Sequence, residues 1–379
     1  MSATRTAVVA VDARAAALAI VSLASMTPAR LDALLARWPD PRDVVGAIAR
    51  RDGEVVDVLV ARSPLTGARA FAALTARWSN EVDVPGAQRV LVRRGTHVLL
   101  AGADGYPIRE EIPRRPAVLL AEGPSVDVLV GPRVAIVGTR AASLQGLDDA
   151  RQLGRALAES GCSIVSGMAI GIDAAAHEGA LDAGGVAIGV LATGLDVVYP
   201  RRHRALFDRV RASGLLVSES AFGTTPEPTR FPVRNRIIAA MADVVVVVEA
   251  TIKGGARITA ERALEYGRPL FAMPGSRRNP AAAGCNALLA DGAHPLLDPS
   301  DVLLAVGMTE GCRRGWAPRR DAGASEDARA CVRACGGEPA TTDQLAARTG
   351  LDPTALARAL AECQRMGLLR PSRGFLWPV

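Results

Sequence analysis

The stretch that most constrains this chain is VAIVGTR, Val134 to Arg140. A run of β-branched residues climbs to a glycine and passes into LQGLDDARQLGRALAESG, which has the periodicity of an amphipathic helix. An apolar run with no alternation suits a strand covered on both faces, and the helix after it presents its amino end to the turn. Gly138 admits another backbone or a phosphate at close range. The free N–H groups of the helix start add partial positive charge, and Arg140 adds a full, forked one.

Residues 130 to about 300 repeat this alternation. Strand runs are expected at Cys162–Val165, Val186–Leu191, Leu215–Val217, Val244–Val248 and Pro269–Ala272, with helices at Leu147–Ser160, Phe231–Ala242 and Ile258–Tyr266 among them. Such a pattern builds a doubly wound, mainly parallel sheet, whose ligands bind beyond the carboxyl ends of the strands where strand order reverses. The loops assigned to that edge carry Gly138, Arg140, Ser166, Gly167, Gly194, Arg201, Arg202, Arg230, Arg234, Arg236, Lys253, Gly254 and Gly255. Small residues and cations on one rim point to a polyanion. A dinucleotide site is disfavoured, because the turn reads Gly138-Thr139-Arg140-Ala141-Ala142-Ser143 and Ser166, not an acid, ends the second strand. A P-loop is absent: the only lysine of the chain, Lys253, lies in TIKGGAR. Asp173 and His177 stand one helical turn apart without a third ligand, so they read as a capping carboxylate and a histidine hydrogen-bonded within the fold, and no metal is expected.

Composition sets the outer bounds. A chain of 379 residues with 49% hydrophobic residues can bury a large core and more than one domain. The net charge of +6, carried by arginine almost throughout, is compatible with nucleic acid without requiring it. The six cysteines are scattered, and Cys331 and Cys335, four apart on an expected helix, have no second pair at zinc spacing. They read as reduced thiols of a cytoplasmic protein. The N-terminus is apolar but broken by Asp12 and Arg14, so a short strand and a helix are expected there rather than a membrane span.

Residues 1 to about 80 read as short amphipathic helices, including Ala16–Leu23, Pro28–Arg37 and Pro41–Arg50. A helix-hairpin-helix would hold phosphate with Gly-x-Gly, but Ser25-Met26-Thr27 stands there, so packing is the expected role. From Val90 the runs RVLVRR, HVLLAG and AVLLAEG read as short strands that add to or cover an edge of the sheet. After a basic linker, Ala328–Cys335 is expected as a helix, Thr342 as the cap of a second, and Asp352-Pro353 as the start of a third, with LLRPSRGFLWPV as a hairpin: a winged helix. Its last helix offers Arg358 and Arg365 but also Glu362, which weakens a groove-reading role and leaves a protein contact open.

VAIVGTRAAS, SGMAIGIDAAAH, ATGLDVVYP, SESAFG, FPVRNRIIAAMADVVVVVEA, RITAERALEYGRPLFAMPG and GCNALLADGA, in that order over about Tyr106 to Pro295, resemble the DprA/Smf family of DNA-processing proteins. The C-terminal module resembles the winged helix of many members. The resemblance implies a Rossmann-like domain that binds single-stranded DNA and loads RecA recombinase onto it in natural transformation. It further implies that Gly138, Thr139, Arg140, Ser166, Gly167, Arg234, Asn235, Arg236, Gly254 and Gly255 line the DNA pocket. Arg201, Arg202 and Lys253 join them from the basic rim, and Phe231 either stacks on a base or anchors its helix in the core. Two stretches depart from the family pattern. Gly254-Gly255-Ala256-Arg257 replaces the usual S-G-S-L, and the Tyr-Pro loop continues as Arg201-Arg202-His203.

The expected architecture is thus α/β: a helical module (1–85), a Rossmann-like DNA-binding domain with a β extension (86–307), a linker (308–326) and a winged helix (327–379). No enzyme activity and no cofactor are expected. Related hydrolases carry P-G-G-x-G-T-x-x-E, and here Arg262 takes the place of the glutamate while Glu261 stands one residue early. The alternatives are a nucleotide-processing enzyme of a related fold, or a duplex-DNA regulator acting through the winged helix. A homodimer is expected from surplus apolar residues Leu264, Leu288, Leu289 and Leu296, each of which could equally be core.

Overall fold

The order of strands explains where a site can form. The structure, a computed structural model, describes residues 12–63, 66–307, 324–335, 339–372 and 374–378. The expected strand before the first helix falls on residues 1–11, and most of the expected linker on 308–323; both lie outside the described residues. Among the described residues nine strands form one sheet: β1 (His97–Leu100), β2 (Val118–Glu122), β3 (Arg133–Val137), β4 (Ser163–Ser166), β5 (Ala187–Leu191), β6 (Leu215–Ser218), β7 (Val244–Val247), β8 (Leu270–Ala272) and β9 (His294–Pro295). Their order is β1-β2-β6-β5-β4-β3-β7-β8-β9. From β6 to β9 every neighbour is parallel, while β1 and β2 add an antiparallel edge. The chain walks outward from β3 to β6, then returns to the other side of β3 as β7. The crevice beyond the carboxyl ends of β3 and β7 is therefore the switch point of the sheet.

Six helices precede the sheet: α1 (Ala13–Val21), α2 (Pro28–Arg37), α3 (Pro41–Ala49), α4 (Gly53–Arg62), α5 (Ala68–Glu81) and α6 (Val84–Arg94). Thr27, standing where a phosphate-binding hairpin needs glycine, caps α2 instead, its hydroxyl accepting Arg30 N–H at 3.3 Å. Leu18, Leu34, Ile48, Leu59, Phe71 and Trp78 of this bundle share one apolar cluster with Phe207 and Leu216 beside the sheet. Trp78 is fully buried and donates its indole N–H to Ala24 O at 2.8 Å. RVLVRR is not a strand. It is the second half of α6, which buries Ala87 and Leu91 at i,i+4, starts at the Asp83 cap and stops at Gly95 in the left-handed region. The other two runs do make the edge strands β1 and β2. Buried Glu122 of β2 ties the two parts, accepting from Arg94 Nε at 2.7 Å and Thr96 Oγ1 at 3.1 Å.

Between and after the parallel strands run α7 (Leu144–Glu159), α8 (Ile172–Asp182), α9 (Arg204–Ser213), α10 (Arg230–Met241), α11 (Gly255–Glu265), α12 (Ala283–Ala290) and α13 (Pro299–Ala305). The chain divides into two units, Met1–Gly311 and Cys312–Val379. The second holds α14 (Glu326–Cys335), α15 (Thr342–Thr349), α16 (Pro353–Arg365) and an antiparallel hairpin, β10 (Leu369–Ser372) with β11 (Phe375–Pro378). The cap of α15 is Thr341, one residue before the expected Thr342, in a reciprocal pair with Gln344. Cys331, Cys335 and Cys363 are free thiols in the apolar core of this unit. Among the described residues no helix is long and apolar enough to cross a membrane.

Candidate functional site

Beyond β3 and β7 opens a cleft of about 500 Å³, lined by Gly138, Thr139, Arg140, Tyr199, Phe231, Asn235 and the first turn of α11, with Arg234 in its floor. A smaller hollow of about 120 Å³ adjoins it, sharing Arg140, Tyr199 and Phe231 and adding Met168, Ile170 and Arg202.

The turn after β3 is held rigidly. Thr139 N–H donates to Glu249 O at 2.7 Å, and Thr139 Oγ1 accepts Ala141 N–H at 3.2 Å. A Cβ on Gly138 would stand 2.4 Å from Ile172 and 2.8 Å from Glu249 O, so the glycine serves the close approach of α8 and the end of β7. The amino end of α7, expected to receive an anion from outside, is already occupied. Buried Glu249 accepts Ser143 N–H at 2.8 Å, Ser143 Oγ–H at 2.6 Å and Asn279 Nδ2–H at 3.0 Å. A Cβ on Gly146 would sit 2.4 Å from that carboxylate, which shows how closely the first turn wraps it. An internal carboxylate thus neutralises the positive end of α7. Glu249 was missed from sequence; its signal is a lone acid directly after five valines, Val244 to Val248.

The amino end of α11 borders the cleft as well. Gly254 is its N-cap with no side-chain hydrogen bond, and Gly255 and Ala256 line the cleft. The Gly254-Gly255 loop therefore presents backbone to the cleft where hydroxyls were expected in the family.

At the mouth, Arg140 is exposed, with its guanidinium carbon 5.1 Å from the Phe231 ring centre. Phe231 and Tyr199 pack tilted at 5.4 Å. Phe231 is thus a half-exposed wall of the cleft rather than a core anchor. Arg140, Arg201, Arg202 and Lys253 have no ion-pair partner within 4 Å among the described residues. Arg202 borders the smaller hollow, whereas Arg201 and Lys253 stand exposed outside both.

The remaining residues lie deeper or elsewhere. Arg234 is 5% exposed; it donates to Gly167 O at 2.6 Å and to Val190 O, with Nε to Asn235 Oδ1 at 3.1 Å. Burial lowers its pKa to about 10, against the opposing pull of Asp173. Asp173, itself raised by burial, accepts Gly167 N–H at 3.1 Å. Arg234 therefore fastens the ends of β4 and β5 and supports the floor. Asn235 Nδ2–H reaches Gly255 O at 3.2 Å, and buried Ser166 donates to Ile136 O at 2.6 Å. Arg236 turns away from the cleft into a pair with Glu219 at 2.5 and 2.6 Å and donates to Arg114 O at 2.7 Å. His177 is fully buried, with the Ser166 backbone as the polar group that acts on its ring. Burial holds its pKa down at about 3, so the ring is neutral at pH 7. Among the described residues no group of three His, Cys, Asp or Glu could hold a metal. Glu261 is exposed and outside the cleft lining, and Arg262 pairs with Glu265 on the same helix.

Comparison with known proteins gives a consistent picture. The family model described as DNA recombination-mediator protein A matches residues 97–307, and that of the DprA winged helix domain matches 317–364. A putative DNA processing protein DprA of Mycobacterium tuberculosis is 35% identical over 376 residues, covering 94% of this chain and 92% of that protein. The X-ray structure of DprA from Streptococcus pneumoniae aligns with a TM-score of 0.62 at 32% identity, over 76% of this chain and 95% of that one. DNA processing protein A from Helicobacter pylori, whose structure was reported for its single-stranded DNA binding mode, aligns with a TM-score of 0.50 at 29% identity, over 56% and 95%.

Proposed function

This chain belongs to the DNA recombination-mediator protein A family, and from that premise we propose that it binds single-stranded DNA at the β3–β7 rim, without sequence preference and without hydrolysing it. As a homodimer in the cytoplasm it would hand the strand to RecA recombinase during DNA uptake and recombination. The observation that carries the reading is the mouth of the cleft: Arg140, with no ion-pair partner among the described residues, lies over the Phe231 ring, which packs against Tyr199, and the amino end of α11 lines the same cleft. Phosphates would meet Arg140, Arg202, Lys253 and the backbone of Gly254 and Gly255. The Phe231 and Tyr199 faces offer a platform for a base, worth about 1–3 kcal/mol when stacked.

Two features support the lack of sequence preference. The neutral polar side chains at the cleft mouth, Thr139 and Asn235, already hold hydrogen bonds within the protein. With one aromatic pair, phosphate contacts supply most of the affinity, and these are blind to sequence. The test is a titration of the full chain with unstructured oligonucleotides of differing sequence, and with AMP, at two salt concentrations. Similar affinities among the oligonucleotides, falling with salt by a log–log slope of about −0.7 per phosphate contacted, are expected. AMP bound more tightly than any oligonucleotide would replace this reading with that of a nucleotide-binding protein.

A further inference from the structure

The rim lies wholly within the first unit; the second carries a different surface. There α15 ends at Gly350, φ +69°, and Asp352 caps α16 by accepting Thr354 N–H and Ala355 N–H, each at 2.9 Å. α16 buries Leu356, Ala359, Leu360 and Cys363. Its other face, with Thr354, Ala357, Arg358, Ala361, Gln364 and Arg365, is exposed.

In the sequence Glu362 stood among these arginines and argued against an anionic partner. In the structure it still lines the hollow shared with Arg358 and Arg365, but its carboxylate is engaged from the side by the start of α14. Glu362 accepts Ser325 N–H at 2.7 Å and Ser325 Oγ–H at 2.6 Å, while Ser325 Oγ accepts Ala328 N–H at 3.2 Å in the first turn of α14. These bonds hold the Glu362 carboxyl below its usual range. Both carboxylates of the α16 segment, Asp352 and Glu362, are thus bound within the unit. Arg358, Arg365 and the exposed Arg370 of β10 have no ion-pair partner within 4 Å among the described residues. Arg358 and Arg365 lie seven residues apart, about 10 Å along the helix on one face, with Ala361 and the Ser325-bound Glu362 between them.

We propose that α16 enters the major groove of double-stranded DNA, with Arg358 and Arg365 on the groove and its phosphates and Arg370 on the flanking backbone. The groove, about 12 Å wide, admits a helix, and the second helix of such a pair is the one that enters. A single strand is a poorer occupant, because the α16 face carries no aromatic side chain for an unpaired base. A protein is poorer too, because the exposed large apolar side chain nearest that face, Met366, stands past the last turn of α16 and not among the arginines. The chain would then hold a single strand with one unit and a duplex with the other.

The test measures the full chain against a labelled 20-base-pair duplex and an unstructured oligonucleotide of equal length. Arg358→Glu/Arg365→Glu should lower duplex affinity at least tenfold and leave single-strand affinity within twofold. Arg140→Ala should do the reverse, so a failure of the rim reading shows in the single-strand arm alone. The milder Arg358→Gln/Arg365→Gln should lose duplex affinity several-fold with an unchanged thermal melt. A wild-type chain that ignores duplex overturns the proposal. Duplex affinity that survives the charge reversal also overturns it and assigns the face to a protein partner.

Discussion

Two arginines that look alike in sequence do opposite work in the structure. Arg140 is exposed and held only by the Phe231 ring, whereas Arg234 is buried on two backbone carbonyls beside Asp173. Arg140→Ala should leave the melting temperature within a degree or two while weakening single-strand binding and flattening its salt slope by about 0.7. Arg234→Ala leaves the buried carbonyls of Gly167 and Val190 without their donor and should cost about 1–3 kcal/mol of stability, read by urea unfolding. Binding would fall with it only as the floor loosens. Equal stability in both variants would contradict the assignment. His177 gives a pH prediction. Its pKa is about 3 folded and 6.5 in the reference state, so below pH 6.5 the unfolded chain takes up a proton that the folded one refuses. The stability this residue allows is present above pH 6.5 and is lost as pH falls toward 3. His177→Leu removes that titration, so its melting temperature relative to wild type should rise progressively from pH 7.5 to pH 5. A margin independent of pH would contradict the burial argument.

At the scale of elements, much of the first unit was legible because its signals are local. Val134–Val137 and Val244–Val247 are runs that only a covered parallel strand accommodates, and glycines or polar residues follow each. RVLVRR misled because three consecutive apolar residues, two of them β-branched, read as a short strand run. The helix signals outside the run, Asp83 and Gly95, decide the matter. The site was legible as an inventory and not as an arrangement. Nothing local says that Glu249 fills the amino end of α7, because its partners Ser143 and Asn279 are 106 and 30 residues away. Nor does local sequence separate Arg236, bound to Glu219, from Arg140. The register of α11 bears on catalysis. Glu261 is exposed and Arg262 pairs with Glu265, so neither lines the cleft, whereas Ile258 and Thr259 of the first turns do. Incubation of clean protein with AMP should release no free base. Stoichiometric release that disappears in Glu261→Ala would establish an activity that this register argues against.

For the whole molecule, the question is whether one rim suffices. The apolar residues expected to make a self-association surface divide on inspection. Leu288 and Leu296 are core, Leu289 is half-buried, and Leu264 is 60% exposed on α11. On nearby stretches of the chain Ile252 and Leu297 are 51% and 71% exposed. Leu264 therefore remains the strongest of the four candidates, on the helix whose amino end faces the cleft. A dimer would present two rims to one strand, and the second contact would form at the effective concentration set by the first, raising avidity with no new kind of contact. A single cleft with one aromatic pair and a few free cations gains more from this than a site already tight. Light scattering at micromolar concentration should give twice the monomer mass, and Leu264→Glu should shift it toward the monomer. The same variant should keep binding to an oligonucleotide too short to span two rims, lose avidity for a long one, and slow RecA filament formation on the long strand. A chain that stays monomeric, or a Leu264→Glu variant that loads RecA like wild type, would leave the rim as a single-strand site acting alone.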